Sequence, residues 1–186
     1  MSIKNFGFLA LPSLLLLMSS CLGDDETTDY TEWRTRNLEY IGNAENEVEN
    51  GVKKYEKVIP SWDKSSYVLM DWHNDRALTS NNLSPLDNST CDVKYILKTI
   101  DGDTIDSSYS MTTYGDSIFR CQPTGMVTGF WIALTNMNVG DSVTAVMPYT
   151  AGYGIYGSGS VPPYTTLIFG IKLVGIPAFE TIPGRQ

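Results

Sequence analysis

The sequence predicts an α+β fold in which one short helix lies between strands and a long loop with aromatic residues lies beside it. The helix is indicated by Phe130, Leu134 and Met137, which recur at the i, i+4, i+7 spacing of one helical face. A strand follows at 142–147, where apolar and polar residues alternate. Residues 167–174 have the apolar, β-branched character of a sheet strand.

Glycine and proline mark the ends of these elements. Gly140 occupies the position at which a helix commonly ends in a left-handed residue, so we expect the short helix to stop there. The loop is glycine-rich over residues 152–160 and closes at Pro162-Pro163.

A second helix is predicted near the N-terminus, over residues 29–50, with Gly51 ending it. Its apolar stripe has helical spacing and favours packing against the rest of the fold or a partner over a ligand site. The stripe consists of Trp33, Asn37, Tyr40, Ile41, Ala44 and Val48.

Between this helix and residue 92 the pattern indicates two strands and a loop. The strands are expected at 55–59 and 67–72, and the polar stretch 76–90 reads as a loop. His73, the single histidine, follows the second strand; with no orienting partner in view, it is interpreted as a strand-end residue.

The composition and net charge limit the kinds of partner that the protein can bind. The 186 residues are 42% hydrophobic, enough for a real core, and the formal net charge is −8. This charge argues against a nucleic-acid partner, because phosphate binding needs clustered lysine and arginine.

Residues 1–20 resemble a bacterial lipoprotein signal peptide. Lys4 precedes an apolar run that is too short to span a membrane comfortably, and two serines precede Cys21 as in a lipobox. Acylation of Cys21 would anchor the protein to the membrane. The alternative is an ordinary signal peptide followed by a coincidental cysteine. The acidic cluster 24–26 reads equally as a surface-export tag or as a solvated tether.

Two motif matches are declined. Residues 152–157 fit G-x-G-x-x-G, but they run into further glycines and two prolines, so no helix can start there to bind a dinucleotide. Asp101, Asp103 and Asp106 suggest calcium, yet the EF-hand pattern fails and lacks its closing glutamate. A hairpin turn at Asp101-Gly102 is favoured, and neither a metal nor a cofactor is expected.

The order of motifs over about residues 92–176 resembles the FKBP-type peptidyl-prolyl isomerases. Upstream motifs are Val93 and Tyr95, then Asp101-Gly102, then Ile105 to Ser108. Downstream, the positions that match the family pattern are Val127, Gly129, Phe130, Leu134, Met137, Val139, Gly140, Pro148, Tyr153, Gly154, Val161, Pro162, Pro163, Thr166, Leu167, Ile168 and Phe169.

The resemblance implies an FKBP-like twisted antiparallel sheet of five or six strands wrapped on the short helix, plus an N-terminal helical extension. The expected division is a signal peptide at 1–20, an acidic tether with the helical extension at 21–64, and the FKBP-like domain at 65–186. In an exported protein, the even pair Cys91 and Cys121 favours a disulfide in which the two face one another across the sheet; the alternative is two free thiols.

The resemblance also implies an activity that needs neither metal nor base. Rotation about an X–Pro bond breaks amide resonance, and a dry apolar pocket favours the less polarised twisted state. The expected catalytic residues are Asp106, Tyr153, Phe130 and Phe169. The expected substrate-binding residues are Tyr95, Ile105, Met126, Val127 and Val161, with the Val127 amide donating to the substrate. The hollow should open beside Tyr153.

Departures from the family pattern weaken that pocket. Phe130 replaces a tryptophan floor, Ile105 replaces a phenylalanine, no pocket aromatic is recognised around Ser117, and Gly152 replaces a common alanine. Each lost apolar contact reduces affinity for proline rings and macrolides, so macrolide binding should be weak.

Two functions therefore stand at this point. The first is an envelope prolyl isomerase that assists the folding of exported, proline-containing polypeptides, as a lipoprotein of the outer membrane, periplasmic or surface-exposed. The second is a non-catalytic FKBP-like binding or scaffold lipoprotein on the cell surface.

Overall fold

The computed structural model describes residues 29–177, so the predictions for residues 1–20, Cys21 and the acidic cluster lie outside it. The expected α+β architecture is confirmed. Within 29–177 no helix has both the length and the apolar character that a membrane span requires. The elements are α1 (Thr31–Asn46), β1 (Val48–Glu49), β2 (Val52–Lys53), β3 (Glu56–Val58), β4 (Val68–Trp72), β5 (Cys91–Lys98), β6 (Thr104–Ser107), β7 (Phe119–Cys121), α2 (Thr128–Thr135), β8 (Ser142–Met147) and β9 (Leu167–Gly175).

The main sheet is antiparallel throughout and has seven strands in the described chain, one more than the largest number expected. Its order is β3-β4-β8-β9-β5-β6, and β7 pairs with the first half of β5 beside β6. Gly102, with φ of 87°, makes the predicted hairpin turn between β5 and β6. Because β3 pairs with β4, the sheet begins inside the stretch that we assigned to the extension.

The two helices pack on opposite faces of this sheet. On one face, α2 and alternate residues of β5, β8 and β9 form the main core. On the other face, Ile41 and Ala44 of α1 pack against Leu69 and Val146. Leu69 and Val146 expose 1% and 0% of their surface, so the sheet is covered on both sides there.

α1 ends at Asn46, before the predicted end at residue 50. The chain then forms the two-stranded sheet β1–β2 around Asn50 and Gly51, whose φ angles are 52° and 80°. Positive φ at both central residues is the signature of a type I′ hairpin turn, for which Asn-Gly is the preferred pair. Gly51 therefore turns a hairpin and does not end the helix, and Val48, placed on the helical stripe, is an exposed strand residue.

α2 is a two-turn helix whose first residues press against β8. A Cβ on Gly129 would lie 2.7 Å from both Cγ and Sδ of Met147, so only glycine allows this approach. The helix ends at Thr135, five residues before Gly140, which lies with φ of 99° in the turn into β8.

A buried carboxylate fixes that turn. Asp141 is fully buried, and its Oδ1 accepts hydrogen bonds from Thr79 Oγ1 at 2.5 Å and Asn74 Nδ2 at 3.0 Å. Its Oδ2 accepts from the Asn138 N–H at 2.8 Å and lies 3.5 Å from Arg76 Nε. The carboxylate thus joins the loop after β4 to the connection between α2 and β8.

Candidate functional site

Four aromatic rings from four different elements meet between α2 and the sheet. Tyr95 of β5 lies at the centre, with ring centroids 5.4 Å from Phe119, 5.9 Å from Phe169 and 6.2 Å from Phe130. Phe130 and Phe169 meet edge to face at 5.0 Å. Such tilted and edge-on contacts are the favoured geometry of aromatic pairs, and each stabilises by about 0.5–1.5 kcal/mol beyond simple burial. We call these four residues the aromatic cluster.

A polar pair forms one edge of the cluster. The Tyr95 hydroxyl donates to Asp106 Oδ2 at 2.6 Å, and Asp106 Oδ1 accepts from the Ser107 N–H at 2.7 Å. Burial, and then the bond to the Asp106 carboxylate, raises the pKa of the Tyr95 phenol above its usual value. The hydroxyl therefore stays protonated and donating at neutral pH, while Asp106 itself is exposed to solvent.

The strand-to-helix corner supplies a free donor. Met126 and Val127 are partly buried, pack against the main core and lie directly before α2. The Val127 carbonyl accepts from the Trp131 N–H at 3.1 Å, but the Val127 N–H makes no hydrogen bond within residues 29–177. Unpaired N–H groups are normal at a helix start and can bind an incoming carbonyl.

The loop after β8 contributes Val161 and Tyr153, and Tyr153 lies near enough to Tyr95 to act on it electrostatically. Val161 is buried in the main core, whereas Tyr153 is 37% exposed and its hydroxyl has no partner within the described chain. A Cβ at Gly152 would lie 2.8 Å from Leu167 Cδ1, so an alanine there requires the Leu167 side chain to shift. The Tyr164 N–H donates to the Gly154 carbonyl at 3.0 Å and holds the two ends of the loop together.

The floor of the site is more closed than expected. Phe130 exposes no surface, Phe169 exposes 4% and Tyr95 6%. The accessible part is a rim formed by the partly buried or exposed residues Ile105, Asp106, Phe119, Met126, Val127 and Tyr153. The hollow was expected to have Phe130 as its floor and to open beside Tyr153, but Phe130 is covered in this conformation. A proline ring reaches Phe130 only after neighbouring side chains move.

The structure brings the predicted residues Tyr95, Phe130 and Phe169 together in the aromatic cluster and bonds Asp106 at its edge. It also adds one residue that sequence reasoning missed. Phe119 fills the position where no aromatic was recognised, two residues after Ser117. The signal was its strand pairing: Phe119 lies opposite Val93, whose face of β5 also carries Tyr95. Ser117, two residues before Phe119, has a positive φ of 63°.

Cys91 and Cys121 lie directly opposite one another on β5 and β7, at the end of the face that carries Tyr95. We call them the cysteine pair. Both are free thiols in the structure, so the expected disulfide is not formed there. Burial, followed by the charge of Asp92, raises the pKa of Cys91 to about 11, and burial raises that of Cys121 to about 12.

Comparison with known proteins identifies the family of the domain. Residues 82–174, half of the chain, match the family described as FKBP-type peptidyl-prolyl cis-trans isomerase. FkpA of Escherichia coli is 33% identical over 94 residues, which cover 50% of this chain and 33% of FkpA. FK506-binding protein 2 of Aspergillus oryzae is 36% identical over 100 residues, covering 47% of this chain and 75% of that protein.

The fold has solved counterparts. The crystal structure of a peptidyl-prolyl cis-trans isomerase from Pseudomonas syringae superimposes with a TM-score of 0.62 at 20% identity, covering 79% of this chain and 95% of that one. The chain spans only a third of the length of FkpA, so the likeness concerns the domain. On the sequence match and the shared architecture, this chain belongs to the family of FKBP-type peptidyl-prolyl cis-trans isomerases.

Proposed function

We propose that the protein is a peptidyl-prolyl isomerase of the cell envelope, which assists the folding of exported proteins by rotating X–Pro bonds in an apolar pocket. The observation that carries the proposal is the aromatic cluster, whose four rings converge beside a rim with separate polar groups. Its substrates are proline-containing polypeptides.

The rim offers groups suited to hold a peptide while its bond turns. The proline ring packs on the cluster, and the free Val127 N–H donates to a backbone carbonyl of the substrate. The Tyr153 hydroxyl offers a second donor, and Asp106 keeps the Tyr95 ring in place through its short hydrogen bond. Since the twisted amide is less polarised than the planar one, an apolar site stabilises it relative to water.

The closed floor predicts modest activity. Opening a path to Phe130 requires rearrangement, and only the fraction of molecules in the open state binds substrate. For the same reason macrolide binding should be weak.

The envelope setting rests on the N-terminal sequence. Residues 1–20 direct export, and acylation of Cys21 anchors the protein in the outer membrane, facing the periplasm or the cell surface. Metabolic labelling with a palmitate analogue tests this, because a Cys21→Ser variant should lose the label and wild-type protein should carry it.

An isomerisation assay on a proline tetrapeptide tests the activity, using a soluble form that lacks residues 1–21. Wild type should accelerate the reaction. The double variant Tyr153→Phe, Asp106→Ala should lower kcat/KM roughly 30-fold, because two hydrogen-bonding groups contributing about 1 kcal/mol each are lost.

The second candidate, a non-catalytic FKBP-like binding or scaffold module, is favoured by one observation, the complete burial of Phe130. If wild type and the double variant both leave the uncatalysed rate unchanged, the binding module is the remaining function.

A further inference from the structure

We propose that α1 holds the loop beside the aromatic cluster in place, so that Trp33, Asn37 and Thr165 are positioning residues for the isomerase. This inference rests on the proposed function. The body of α1 covers the far face of the sheet, but its first turns contact residues 162–166, through which the loop returns to β9. We call residues 162–166 the return segment.

The first connection is made by Asn37, a side chain with no exposed surface. Its Oδ1 accepts from the Thr166 N–H at 2.7 Å, and its Nδ2 donates to the Trp33 carbonyl at 2.8 Å. The Thr166 hydroxyl donates in return to the Asn37 carbonyl at 3.2 Å. Buried polar groups must keep their partners, so these bonds fix the backbone of the return segment relative to α1.

The second connection is a relay of two hydrogen bonds. The Trp33 indole Nε1 donates to Thr165 Oγ1 at 3.1 Å, and that hydroxyl donates to the Pro162 carbonyl at 2.7 Å. Pro162 directly follows Val161, a buried wall of the main core. The indole of α1 is therefore linked to the residue that shapes one side of the site.

The third connection passes through Tyr164, which adopts a left-handed φ of 61°. A non-glycine residue keeps such a conformation only where its surroundings determine it. The Arg34 guanidinium of α1 lies 4.9 Å from the centre of the Tyr164 ring, and the Tyr149 ring packs against its edge at 5.4 Å. The backbone N–H of Tyr164 bonds Gly154, next to Tyr153.

Positioning has a direct effect on this chemistry. Isomerisation involves no covalent step, so the rate depends on how well walls and donors match the twisted amide. A loosened return segment would still present an apolar surface for binding but would not hold Tyr153 and Val161 in register. The loss should therefore fall mainly on kcat, with a smaller change in KM.

The test is a double-mutant cycle in the full-length chain, with Trp33→Phe, Thr165→Val and their combination. Each single variant breaks the relay with little change in shape, so kcat should fall about three- to tenfold. The double variant should lose no more than the larger single loss, since both remove the same relay. Hydrogen–deuterium exchange should become faster in peptides covering 153–166 and stay unchanged in β5.

Matched controls remove similar bonds elsewhere. Thr144→Val removes a hydroxyl 2.9 Å from His73 Nε2, and Trp72→Phe removes an indole bond to Glu56 at 2.9 Å. Both should retain wild-type kcat and wild-type exchange in the loop.

Additive losses in the double variant, relay variants as active as the controls, or unchanged exchange at 153–166 would each overturn the inference. If wild-type protein itself shows no isomerase activity, the proposed function fails. Hydrogen–deuterium exchange alone then tests whether α1 positions the loop. Faster loop exchange in the relay variants would then still support positioning by α1, and unchanged exchange would reject it.

Discussion

Replacing Asp141 with asparagine should destabilise the protein by about 3–5 kcal/mol, a large part of the 5–15 kcal/mol typical of a domain. Each carboxylate oxygen faces two donors, Thr79 and Asn74 on one side and Asn138 and Arg76 on the other. An asparagine has one oxygen, so its amide N–H₂ must face one donor pair. If the amide N–H₂ faces Thr79 and Asn74, two hydrogen bonds are disrupted; if it faces Asn138 and Arg76, one hydrogen bond and the ion pair are lost. Each unpaired buried group costs about 1–3 kcal/mol. Urea unfolding should show a lower midpoint with an unchanged slope.

The pH dependence gives a second measure of the same site. Burial alone would raise the pKa of Asp141, but the bonds from Asn138, Thr79 and Asn74, with the charge of Arg76, hold that pKa below its usual value. A lowered folded-state pKa means that the stabilisation is present above the unfolded pKa of about 3.9 and is lost as pH falls through the folded-state pKa. The stability gap between wild type and Asp141→Asn should therefore be full at neutral pH and shrink in acid.

A control separates this effect from loss of charge alone. Asp116 is 92% exposed and lies 3.8 Å from Lys94, so Asp116→Asn should change stability by less than about 0.5 kcal/mol. If Asp141→Asn matches that control, or if its deficit stays the same from neutral pH into acid, the carboxylate does not act as described.

Three further predictions follow from the geometry. Asp106→Ala should lower the pKa of the Tyr95 phenol in an ultraviolet titration, since the bonded carboxylate opposes ionisation; an unchanged titration would contradict the pairing. Gly129→Ala should cost about 1–3 kcal/mol in urea unfolding because its methyl meets Met147 at 2.7 Å, while Gly42→Ala, with open space, should be neutral or stabilising by up to about 1 kcal/mol. After export, non-reducing mass mapping should recover the cysteine pair as a disulfide. In purified protein exposed to air at pH 7 the disulfide should form slowly, because the raised pKa values of both thiols leave little thiolate. Two free thiols in exported protein would reject the bond.

Much of the fold could be predicted because its elements are encoded locally. The alternation in 142–147 and the apolar run at 167–174 gave β8 and β9 within one residue of their observed ends. The glycine-rich stretch and the two prolines that follow it predicted the loop between β8 and β9. The position of Tyr95 beside Phe130 and Phe169 followed from the family resemblance, since no spacing within one element reports contacts between three of them.

The misses have identifiable physical causes. Asn50-Gly51 carries a hairpin signal that was outweighed by the helical stripe before it. Phe119 was missed because its contact with Tyr95 is made between two paired strands, and spacing along the chain does not report such a contact. The closure over Phe130 depends on long-range packing of side chains, which the sequence pattern does not report.

Helix α1, which covers the far face of the sheet, limits how far the chain can be truncated from its N-terminus. The sequence motifs suggest that residues 65–186 form the domain. A protein truncated to that range would lack α1 and would expose Leu69 and Val146 as a hydrophobic surface patch. It would also lose β3 and leave β4 as a bare edge, open to pairing with other molecules. Such a fragment should aggregate under conditions in which the longer chain stays monodisperse. Protein engineering on this scaffold should therefore retain everything from residue 29 onward.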